Sequence, residues 1–600
     1  MAVKPVVICL SRSGQTTADK IAQSFGFAIH GRKTRVDRAD VFFDNALDHI
    51  RDLFAAKTPV IGVCASGILI RAVAPLLNDK TAEPPVISVA DNGATVVPLL
   101  GGHRGANRLA KQLAELLSGH AAVTTAGDVA LGVALDEPPL GWRLANPENA
   151  KGVMAGLLSG GAPSIKGENI WGLDSNPNGT VTLVATQEMI KGNDTTLVYH
   201  PQKITLGVGC ARNCDPQELW ELVEKTFTDN NIALGCIAAI GSLDLKADEP
   251  AMNMLAERLG VPFRIFTADA LEAFAGQLEN PSEVVFAEVG CHGVSEAAAL
   301  ALGHTDASLK ITKQKTKNAT CALAISAEPI TEFKGSSRGK LSIIGIGPGQ
   351  ASWRTPEASQ LVAEAEVLVG YGLYIDLLGP LAYGKERSDF HLGAEEDRCR
   401  YALEQAAKGK NVALICSGDA GIYAMGALVF ELMDRSADEM GVSAAAHRVE
   451  IKCTPGVSAL QGAAARAGAP LGHDFCAISL SDLLTHREDI IKRLQAAAVG
   501  DFVIAFYNPV SKRRRTLLAE ARDILLQHRP KDTPVMLARS LGRHDESIRY
   551  VALADLQVDD VDMMTVVLVG SSNSKLAQLG EGPRMYTPRG YARKIDGDLS

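Results

Sequence analysis

The chain has 600 residues, of which 46% are apolar and 22% are charged, a composition typical of soluble α/β proteins. This length is too great for one hydrophobic core, and we expect roughly three to five domains. The net charge of −9 gives no reason to expect a nucleic acid or a membrane surface as partner, and no apolar run approaches the ~20 residues of a membrane span.

The first residues predict an ordinary strand rather than a signal peptide. Their apolar run is short and leads directly into the polar loop at residues 11–17. The 11 cysteines are scattered singly among core-like runs, as in a reduced protein rather than a disulfide framework. The sequence therefore predicts a cytoplasmic, multidomain α/β protein.

Three strand-to-helix units open the chain. Apolar strands at 6–10, 59–64 and 85–90 each lead into a loop that contains Gly, Ser or Asn. Consecutive units of this kind predict a mostly parallel sheet with its functional loops at the carboxyl ends of the strands. The loop 11–17, ahead of a helix over 18–25, is compatible with a helix cap and with an anion site.

Two segments in this region carry a family resemblance. They are CASGILIRAVAPLL (64–77) and DNGATVVPLLGGHRGAN (91–107), and with their spacing they resemble the N-terminal domain of the cobalt-precorrin-5A hydrolases of cobalamin biosynthesis. The resemblance implies a hydrolase α/β domain over residues 1–135. His103 in this domain is a candidate ligand for a propionate group or cobalt, or else a loop histidine satisfied by its surroundings.

Residues 136–201 are rich in Pro, Gly and Asn and less regular, like the variable middle segment of that family. A second α/β domain is predicted over 202–326, and it resembles the C-terminal domain of the same hydrolases. In this domain Cys291 and His292 stand where the family commonly has a Val-Pro pair. Because its cysteines form no C-x-x-C pair, we predict no metal site.

The segment DLKADEP, residues 244–250, is the richest charged cluster of the hydrolase-like region. If its first part is extended, Asp244, Lys246 and Asp248 share one face. A carboxylate could then activate water while Lys246 stabilises an oxyanion. In the alternative, Asp248 only caps a helix whose first turn holds the two residues after it. The predicted catalytic residues are Asp244, Lys246, Glu249 and His103.

A polar passage at 327–339 predicts the clearest domain boundary. The segment LSIIGIGPG (341–349) then reads as a buried strand that ends in a glycine-rich loop, and a helix start follows at 355–357. The dinucleotide fingerprint fails because Gln350 stands at its last glycine position. A plain strand-to-helix turn and a ligand-binding loop are both compatible with this segment.

Further loops of this kind follow in order: SGDAGIY (417–423), TPGVSA (454–459), FYNP (506–509) and TPRGY (587–591). The whole set resembles the tetrapyrrole (class III) methylases over 340–592, and these four loops resemble most the precorrin-3B C17-methyltransferases. The resemblance implies a methylase region over 340–595 with α/β subdomains at 340–454 and 455–595. It also implies that S-adenosylmethionine binds, folded, in the cleft between the two subdomains.

A sulfonium methyl donor needs a neutral-to-acidic cradle and an aligned nucleophile rather than a metal. The resemblance implies that the loop around Asp419 holds the methionine end, with this carboxylate near the cation or capping the next helix. Tyr507 would grip the adenosine, or it is only a half-buried core aromatic. The predicted cofactor-binding residues are Gly347, Pro348, Gly349, Ser417, Gly418, Asp419, Ala420, Tyr423, Ser458, Tyr507, Asn508 and Thr565, and no metal is predicted.

Both resemblances together imply a bifunctional enzyme of cobalamin biosynthesis. The methylase region would methylate C17 of precorrin-3B or cobalt-factor III with ring contraction, which leaves a lactone. After a methylation by another enzyme, the hydrolase region would open the lactone of a (cobalt-)precorrin-5A and release acetaldehyde. Alternatively the N-terminal half only binds and carries corrinoids, since it has no G-x-S-x-G or H-E-x-x-H motif. A homodimer through the methylase region and contacts with other enzymes of the pathway are further expectations.

Overall fold

The computed structural model describes residues 3–77, 83–125, 132–160, 162–511 and 514–595. The chain forms two compact units. The first comprises Met1–Leu341, Arg400–Val412 and Met433–Ile451, and the second comprises Ser342–Cys399, Ala413–Leu432 and Lys452–Ser600. None of the helices in the described ranges is long and apolar enough to cross a lipid bilayer.

The first unit begins with a seven-stranded sheet. Its elements are β1 (Val6–Cys9), α1 (Gln15–Phe25), β2 (Ala28–Arg32), β3 (Val41–Phe43), α2 (Ala46–Ala55), β4 (Val60–Val63), α3 (Ser66–Val73), β5 (Val86–Val89), β6 (Thr95–Leu100), α4 (Ala106–Leu117) and β7 (His120–Ala121). The strand order is β3-β2-β1-β4-β5-β6-β7, and among the described strands of this sheet β5 and β6 are the one antiparallel pair. The predicted mostly parallel sheet is therefore confirmed.

The middle segment is more regular than its composition indicates. It contains β8 (Trp142–Leu144), α5 (Ala150–Leu158), β9 (Pro163–Lys166), β10 (Val181–Ala185) and β11 (Thr196–Pro201). The strands form their own sheet in the order β8-β11-β10-β9, and buried side chains such as Val153, Leu183 and Tyr199 form its core. The many turn residues connect short strands here.

The third sheet of this unit carries the DLKADEP segment. Its elements are β12 (Ile204–Cys210), α6 (Pro216–Asp229), β13 (Ile237–Leu243), α7 (Pro250–Leu259), β14 (Phe263–Phe266), α8 (Ala268–Glu272), α9 (Glu283–Val289), α10 (Ser295–Leu302), β15 (Ser308–Lys315) and β16 (Ala319–Ile325). The order is β14-β13-β12-β16-β15. Because β12, β13 and β14 are parallel, the loops that follow them lie at one edge of the sheet.

The methylase-like region begins with a five-stranded sheet in the order β19-β18-β20-β17-β21. Its elements are β17 (Lys340–Gly345), α11 (Pro356–Glu364), β18 (Val367–Tyr371), α12 (Gly372–Asp376), β19 (Glu386–Phe390), α13 (Glu395–Ala407), β20 (Asn411–Cys416), α14 (Gly426–Met433) and β21 (Glu450–Thr454). The predicted strand at the glycine-rich loop is β17, and the loop begins where this strand ends.

A second sheet, in the order β23-β24-β27-β25-β26, follows with a small third sheet, β22-β29-β28. The elements are α15 (Ala459–Ala467), β22 (Gly468–Ala469), β23 (Phe475–Ser479), α16 (Arg487–Val499), β24 (Val503–Tyr507), α17 (Leu517–Leu525), β25 (Pro534–Arg539), β26 (Ser547–Ala552), β27 (Thr565–Val569), β28 (Lys575–Leu579), β29 (Gly582–Tyr586) and α18 (Tyr591–Ile595). The sequence did not predict the β28–β29 hairpin.

Candidate functional site

A cleft in the second unit collects most of the predicted cofactor-binding residues. It is an open cleft with a cavity volume of about 180 Å³. The predicted residues that line it are Pro348, Ser417, Gly418, Asp419, Tyr423, Ser458, Tyr507, Asn508 and Thr565. Gly347, Gly349 and Ala420, also predicted, are not among the lining residues. The loops after β17, β20, β21 and β24 thus meet at one site although they are far apart in sequence.

Backbone contacts between glycines hold these loops together. Gly347 and Gly418 exchange two hydrogen bonds, with N···O distances of 3.1 and 2.9 Å. Their φ angles are 78° and 72°, in the left-handed region where a side chain is strained. A Cβ on Gly456 would collide with the Gly418 carbonyl oxygen. The glycines are therefore required for the close approach of three loops, and the GxGPG turn is more than a simple connection.

The Asp419 carboxylate joins two of the loops. Its Oδ1 accepts a hydrogen bond from Gly421 N at 2.8 Å, and its Oδ2 accepts one from Gly456 N at 2.9 Å. The next helix, α14, begins only at Gly426, so the alternative in which Asp419 caps this helix is wrong. The carboxylate instead fixes the loop after β20 against the loop after β21 and brings a negative charge to the cleft.

Two tyrosine rings form one side of the cleft. The ring centroids of Tyr423 and Tyr507 are 5.2 Å apart. The Tyr507 hydroxyl accepts a hydrogen bond from Leu460 N at 2.9 Å, and the Tyr423 hydroxyl donates one to Ala477 O at 2.8 Å. Burial raises the pKa of both phenols, so they stay neutral at physiological pH. Tyr507 is half-buried and also lines the cleft, so it can be a core aromatic residue and a contact for the adenosine at the same time.

Ser458 and Thr565 use their side chains within the protein. Ser458 caps α15 in a capping box with Gln461: Ser458 Oγ accepts from Gln461 N at 3.4 Å, and Gln461 Oε1 accepts from Ser458 N at 2.8 Å. The Thr565 hydroxyl donates to Asp562 Oδ1 at 2.8 Å. These two residues would therefore contact a ligand through their backbone groups and through the shape of the cleft wall, and not through their hydroxyl groups. Asn508 directly follows Tyr507, the last residue of β24, and its backbone has a φ of 49°.

The sequence interpretation missed the loop after β25. Its Arg543 lines the cleft and donates from Nε to Pro348 O at 3.1 Å. A Cβ on Gly349 would lie 2.7 Å from the backbone of Gly542, so this loop packs tightly against GxGPG. The signal was present as an apolar run, PVMLA (534–538), followed by RSLGR. Tyr374, Met563 and Met564 also line the cleft and carry no motif.

In the hydrolase-like domain the DLKADEP segment is not extended. Asp244–Lys246 forms a 3-10 turn directly after β13, closed by a hydrogen bond from Ala247 N to Asp244 O at 3.1 Å. The period-of-two face predicted for Asp244, Lys246 and Asp248 is therefore wrong. The prediction that Asp248 caps the helix is also wrong, because its carboxylate accepts from Arg212 Nη1 at 2.7 Å and Glu249 occupies the N-cap position of α7.

Glu249 is the central residue of this cluster. Its side chain is 0% exposed, and its Oε2 lies 3.9 Å from Lys246 Nζ and 3.6 Å from Arg212 Nη1. Asn213 N donates to the same oxygen at 3.3 Å, while Oε1 is buried without a hydrogen-bond partner. Nearby, burial raises the pKa of Cys210 to about 12. The structure thus brings Lys246 and Glu249 together beside a protonated thiol.

His103 belongs to a different part of the fold. It lies in the 3-10 turn Gly102–Arg104 after β6. Because β6 is antiparallel to β5, this turn is at the opposite edge of the sheet from the loops after β1, β4 and β5. The side chain of His103 lies outside the described residues. Within the described ranges, no group of three or more His, Cys, Asp or Glu side chains is arranged to hold a metal ion.

Comparison with known families agrees with this division of the chain. Residues 340–557 match the model described as tetrapyrrole (corrin/porphyrin) methylases. Residues 48–128 match the model for the N-terminal part of cobalamin synthesis protein G, and residues 204–324 match the model for its C-terminus. Two predicted cobalamin-pathway segments therefore precede the methylase region, as the sequence motifs implied.

Individual relatives cover the methylase region. The chain is 42% identical over 255 residues to precorrin-3B C(17)-methyltransferase of a Sinorhizobium species, a match covering 42% of this chain and 98% of that protein. It is 43% identical over 251 residues to a probable cobalt-factor III C(17)-methyltransferase of Salmonella typhimurium, covering 42% and 99%.

A third relative is longer than the matched region. The chain is 41% identical over 259 residues to the cobalt-factor III methyltransferase of Priestia megaterium, a match covering 43% of this chain and 46% of that protein. The chain thus spans about half the length of this relative. By the matches to whole relatives and to all three family models, this chain belongs to the tetrapyrrole methylases, fused behind two segments of the cobalamin synthesis G family.

Proposed function

We propose that the chain is a bifunctional enzyme of cobalamin biosynthesis. Its methylase region, 340–595 with subdomains 340–454 and 455–595, transfers a methyl group to C17 of precorrin-3B or cobalt-factor III with contraction of the ring. Its N-terminal regions, 1–135 and 202–326 around the middle segment 136–201, open the lactone of a (cobalt-)precorrin-5A and release acetaldehyde. The observation that carries the first activity is the meeting of the predicted loops in one cleft.

The residues of this cleft fit S-adenosylmethionine. When bound, this donor supplies an electrophilic methyl group on a sulfonium. Among the described lining residues Asp419 is the one acid, and both its oxygens are held by backbone N–H groups, which fixes a negative charge where a cation is to be bound. The rings of Tyr423 and Tyr507 offer apolar faces of the kind on which an adenosine can pack. A metal would add nothing that methyl transfer requires.

The Gly347-Pro348-Gly349 loop is proposed to face the macrocycle. Pro348 lies in the wall of the cleft, and Arg543 holds its carbonyl oxygen. Arg543 is also the one positively charged residue among the described lining residues. Tetrapyrrole precursors carry carboxylate side chains, and a guanidinium is well suited to bind them. Arg543 thus places a positive charge where the macrocycle is proposed to enter, while the donor end keeps the negative charge of Asp419.

Methyl-labelled S-adenosylmethionine incubated with the full chain and each candidate macrocycle tests the first activity. We expect label on the macrocycle, donor binding that is unaffected by a chelator, and no tight binding of NAD. Mass spectrometry of the product identifies the methylated position and the contraction. Metal-dependent donor binding, tight NAD binding, or a methyl group at a carbon other than C17 would contradict the proposal.

The second activity needs a base for water and a positive group for the oxyanion. The cluster of Lys246 and Glu249 supplies both kinds of charge. We expect Lys246→Met and Glu249→Gln to slow acetaldehyde release by about a hundredfold without changing C17 methylation. Glu249 is fully buried, so the fold of that variant is checked by circular dichroism. Binding of the lactone substrate without release by the wild type would favour the carrier alternative.

Three further proposals concern the setting of the enzyme. We propose a cytoplasmic location, a homodimer formed through the methylase region, and contacts with other enzymes of the pathway. The family resemblance supports each of them. Light scattering on the purified full chain tests the oligomeric state, and a monomer at micromolar concentration would contradict the dimer.

A further inference from the structure

One of the three tyrosines that line the methylase cleft has a free hydroxyl group. The hydroxyls of Tyr423 and Tyr507 bond to the backbone, whereas the hydroxyl of Tyr374 has no hydrogen-bond partner among the described residues. Tyr374 lies in α12, directly after β18, and the Tyr371 ring packs edge-on against it with 5.2 Å between the ring centroids. The ring of Tyr374 is therefore held in place, and its hydroxyl is left for a ligand.

The guanidinium of Arg543 in the same cleft is also without an acid partner. Apart from the hydrogen bond from Nε to the GxGPG loop, its side-chain nitrogens have no partner in the described ranges. The two acids of the same loop are engaged elsewhere, since Asp545 pairs with Arg539 at 3.3 Å and Glu546 pairs with Arg466 at 2.8 Å. Arg543 therefore presents its terminal N–H groups and its full charge to the cleft.

Tyr374 and Arg543 are close enough to interact through charge. Burial raises the pKa of Tyr374, and the positive charge of Arg543, the largest of the charges that act on this phenol, opposes the rise. The hydroxyl therefore stays protonated at neutral pH and is available as a hydrogen-bond donor. Because both side chains line the cleft, an O–H donor and a guanidinium lie together at one end of it.

A second guanidinium is buried near Tyr374. The Arg398 side chain is only 2% exposed, its Nη2 donates to His391 O at 3.0 Å, and its Nη1 contacts Met425 Sδ at 3.2 Å. Its Nε has no partner, and no acid lies within ion-pair distance of it in the part of the chain that is described. Buried charges are normally paired. The charge of Arg398, like that of Arg543, opposes the rise in the pKa of Tyr374, so it adds positive potential at this end of the cleft.

This set of groups fits a carboxylate. A guanidinium can bind both oxygens of a carboxylate through two parallel N–H groups, and a neutral phenol can donate one more hydrogen bond. The acid that lines the cleft, Asp419, does not take this place, because backbone N–H groups hold both of its oxygens. The positive end of the cleft is therefore complete only when a ligand brings an anion.

Two ligands of the proposed reaction carry carboxylates. Tetrapyrrole precursors carry them on their side chains, and S-adenosylmethionine carries one at its methionine end. Arg543 holds the carbonyl oxygen of Pro348, in the loop that is proposed to face the macrocycle. The macrocycle is therefore the favoured source of the carboxylate.

We propose that Tyr374 and Arg543 bind one carboxylate side chain of the macrocycle and that Arg398 is a positioning residue whose buried charge strengthens this site. The inference rests on the proposed methylase function and adds the contact that orients the substrate. A flat macrocycle of similar rings can enter a cleft made largely of backbone groups in several rotational orientations. One fixed carboxylate removes this freedom, so the contact determines which carbon faces the methyl donor.

Steady-state methyl transfer by the full chain, with labelled S-adenosylmethionine and whichever of precorrin-3B and cobalt-factor III it methylates, tests the contact. We expect Tyr374→Phe to raise KM for the macrocycle about fivefold to tenfold and Arg543→Met to raise it about thirtyfold, because the arginine supplies two charge-assisted hydrogen bonds. Arg543→Lys keeps the charge without the fork and should give an intermediate KM. Tyr371→Phe, at a ring outside the described lining residues, is the matched control and should stay within about twofold.

Two further measurements identify the source of the carboxylate. S-adenosylhomocysteine carries the same methionine carboxylate as the donor, and calorimetry should give it unchanged affinity in Tyr374→Phe and Arg543→Met. Mass spectrometry of the products should find methyl groups at carbons other than C17 in Arg543→Met. Weaker binding of S-adenosylhomocysteine together with an unchanged KM for the macrocycle would assign the carboxylate to the donor and overturn the inference.

Arg398 requires a readout that a purely structural residue would not change. Arg398→Met removes the buried charge and keeps much of the side-chain volume, an exchange that folded cores tolerate. The pKa of Tyr374 should then rise further, since a cation that favours the phenolate is gone. The tyrosinate absorbance of Arg398→Met with and without Tyr374→Phe follows this pKa. An unchanged pKa would remove Arg398 from the site.

The remaining outcomes separate the inference from the proposed function. An unchanged KM for the macrocycle in folded Tyr374→Phe and Arg543→Met overturns the inference. No methyl transfer by the wild type to either macrocycle overturns the proposed methylase function instead. If Arg543→Met does not fold, Arg543→Lys takes its place in every measurement.

Discussion

Removing the Asp419 carboxylate in two different ways should separate its charge from its hydrogen bonds. Asp419→Asn keeps one oxygen, which can remain on the part-buried Gly456 N–H, while the exposed Gly421 N–H turns to water. This variant therefore loses the charge and little else. Asp419→Ala loses both acceptors and leaves the Gly456 N–H without a partner.

Loss of the hydrogen bonds and loss of the charge should weaken ligand binding by different amounts, and they should affect different ligands. An unsatisfied, part-buried N–H costs about 1–3 kcal/mol, and this cost affects any ligand that needs the two loops in contact. Asp419→Ala should therefore weaken both S-adenosylmethionine and S-adenosylhomocysteine by roughly thirtyfold. The charge acts only on the sulfonium. At the surface of a cleft it is worth about 1–2 kcal/mol, so Asp419→Asn should weaken the methyl donor about tenfold and the neutral thioether hardly at all.

Titration calorimetry of both ligands against the full chain measures these differences. Asp474→Asn, a carboxylate that is 80% exposed in the same unit, is the matched control and should leave both affinities unchanged. Equal weakening of donor and thioether in Asp419→Asn would show that the carboxylate acts through loop geometry alone. Normal affinity for both ligands in Asp419→Ala would remove this residue from the donor site altogether.

Two other predictions follow from packing and burial. Gly349→Ala places a Cβ about 2.7 Å from the Gly542 backbone. We therefore expect kcat/KM for methyl transfer to fall about tenfold or more, with the affinity for the donor nearly unchanged. The control Gly580→Ala, at a glycine that faces open space, should have no effect on initial rates. Burial lowers the pKa of His30 to about 3 and that of His49 to about 4. The neutral histidines therefore make their full contribution to the free energy of unfolding above pH ~6.5, and this contribution decreases as the pH falls below that value. The expected loss is about 2 kcal/mol per histidine between pH 7.5 and pH 5. Amide hydrogen exchange in β2 and α2 measures this loss, and unchanged protection at pH 5 would contradict it.

The loops that line the cleft could be located from the sequence because most of them follow a buried strand. Gly347 in GxGPG and Gly418 in SGDAG mark positions where the backbone has a positive φ, and this need is local. The contact between Asp419 and Gly456 joins residues that are 37 positions apart, and the sequence contains no local signal for it. Arg543 was missed for the same reason, since its role depends on the packing of its loop against Pro348.

The hydrolase-like region could be predicted less well, and DLKADEP shows why. Three charged residues in alternation fit an extended strand, and they fit equally well a turn that precedes a helix. The choice depends on where β13 runs out of buried positions, and this happens at Leu243. The pairing of His292 with Glu272 spans 20 positions and joins a loop to a short helix. Neither residue belongs to a motif, so only the folded chain brings them together.

The two candidate sites differ in what they require from the chain, and this difference bears on the fusion. Methyl transfer needs a cleft made largely of backbone groups and one fixed carboxylate, whereas lactone opening needs a base for water and a positive group for the oxyanion. Because a methylation by another enzyme separates the two proposed reactions, the macrocycle must leave this chain between them. A tunnel from one site to the other would bypass that step. Fusion of the two activities is therefore expected to help through shared synthesis and local concentration of intermediates rather than through direct transfer between the sites.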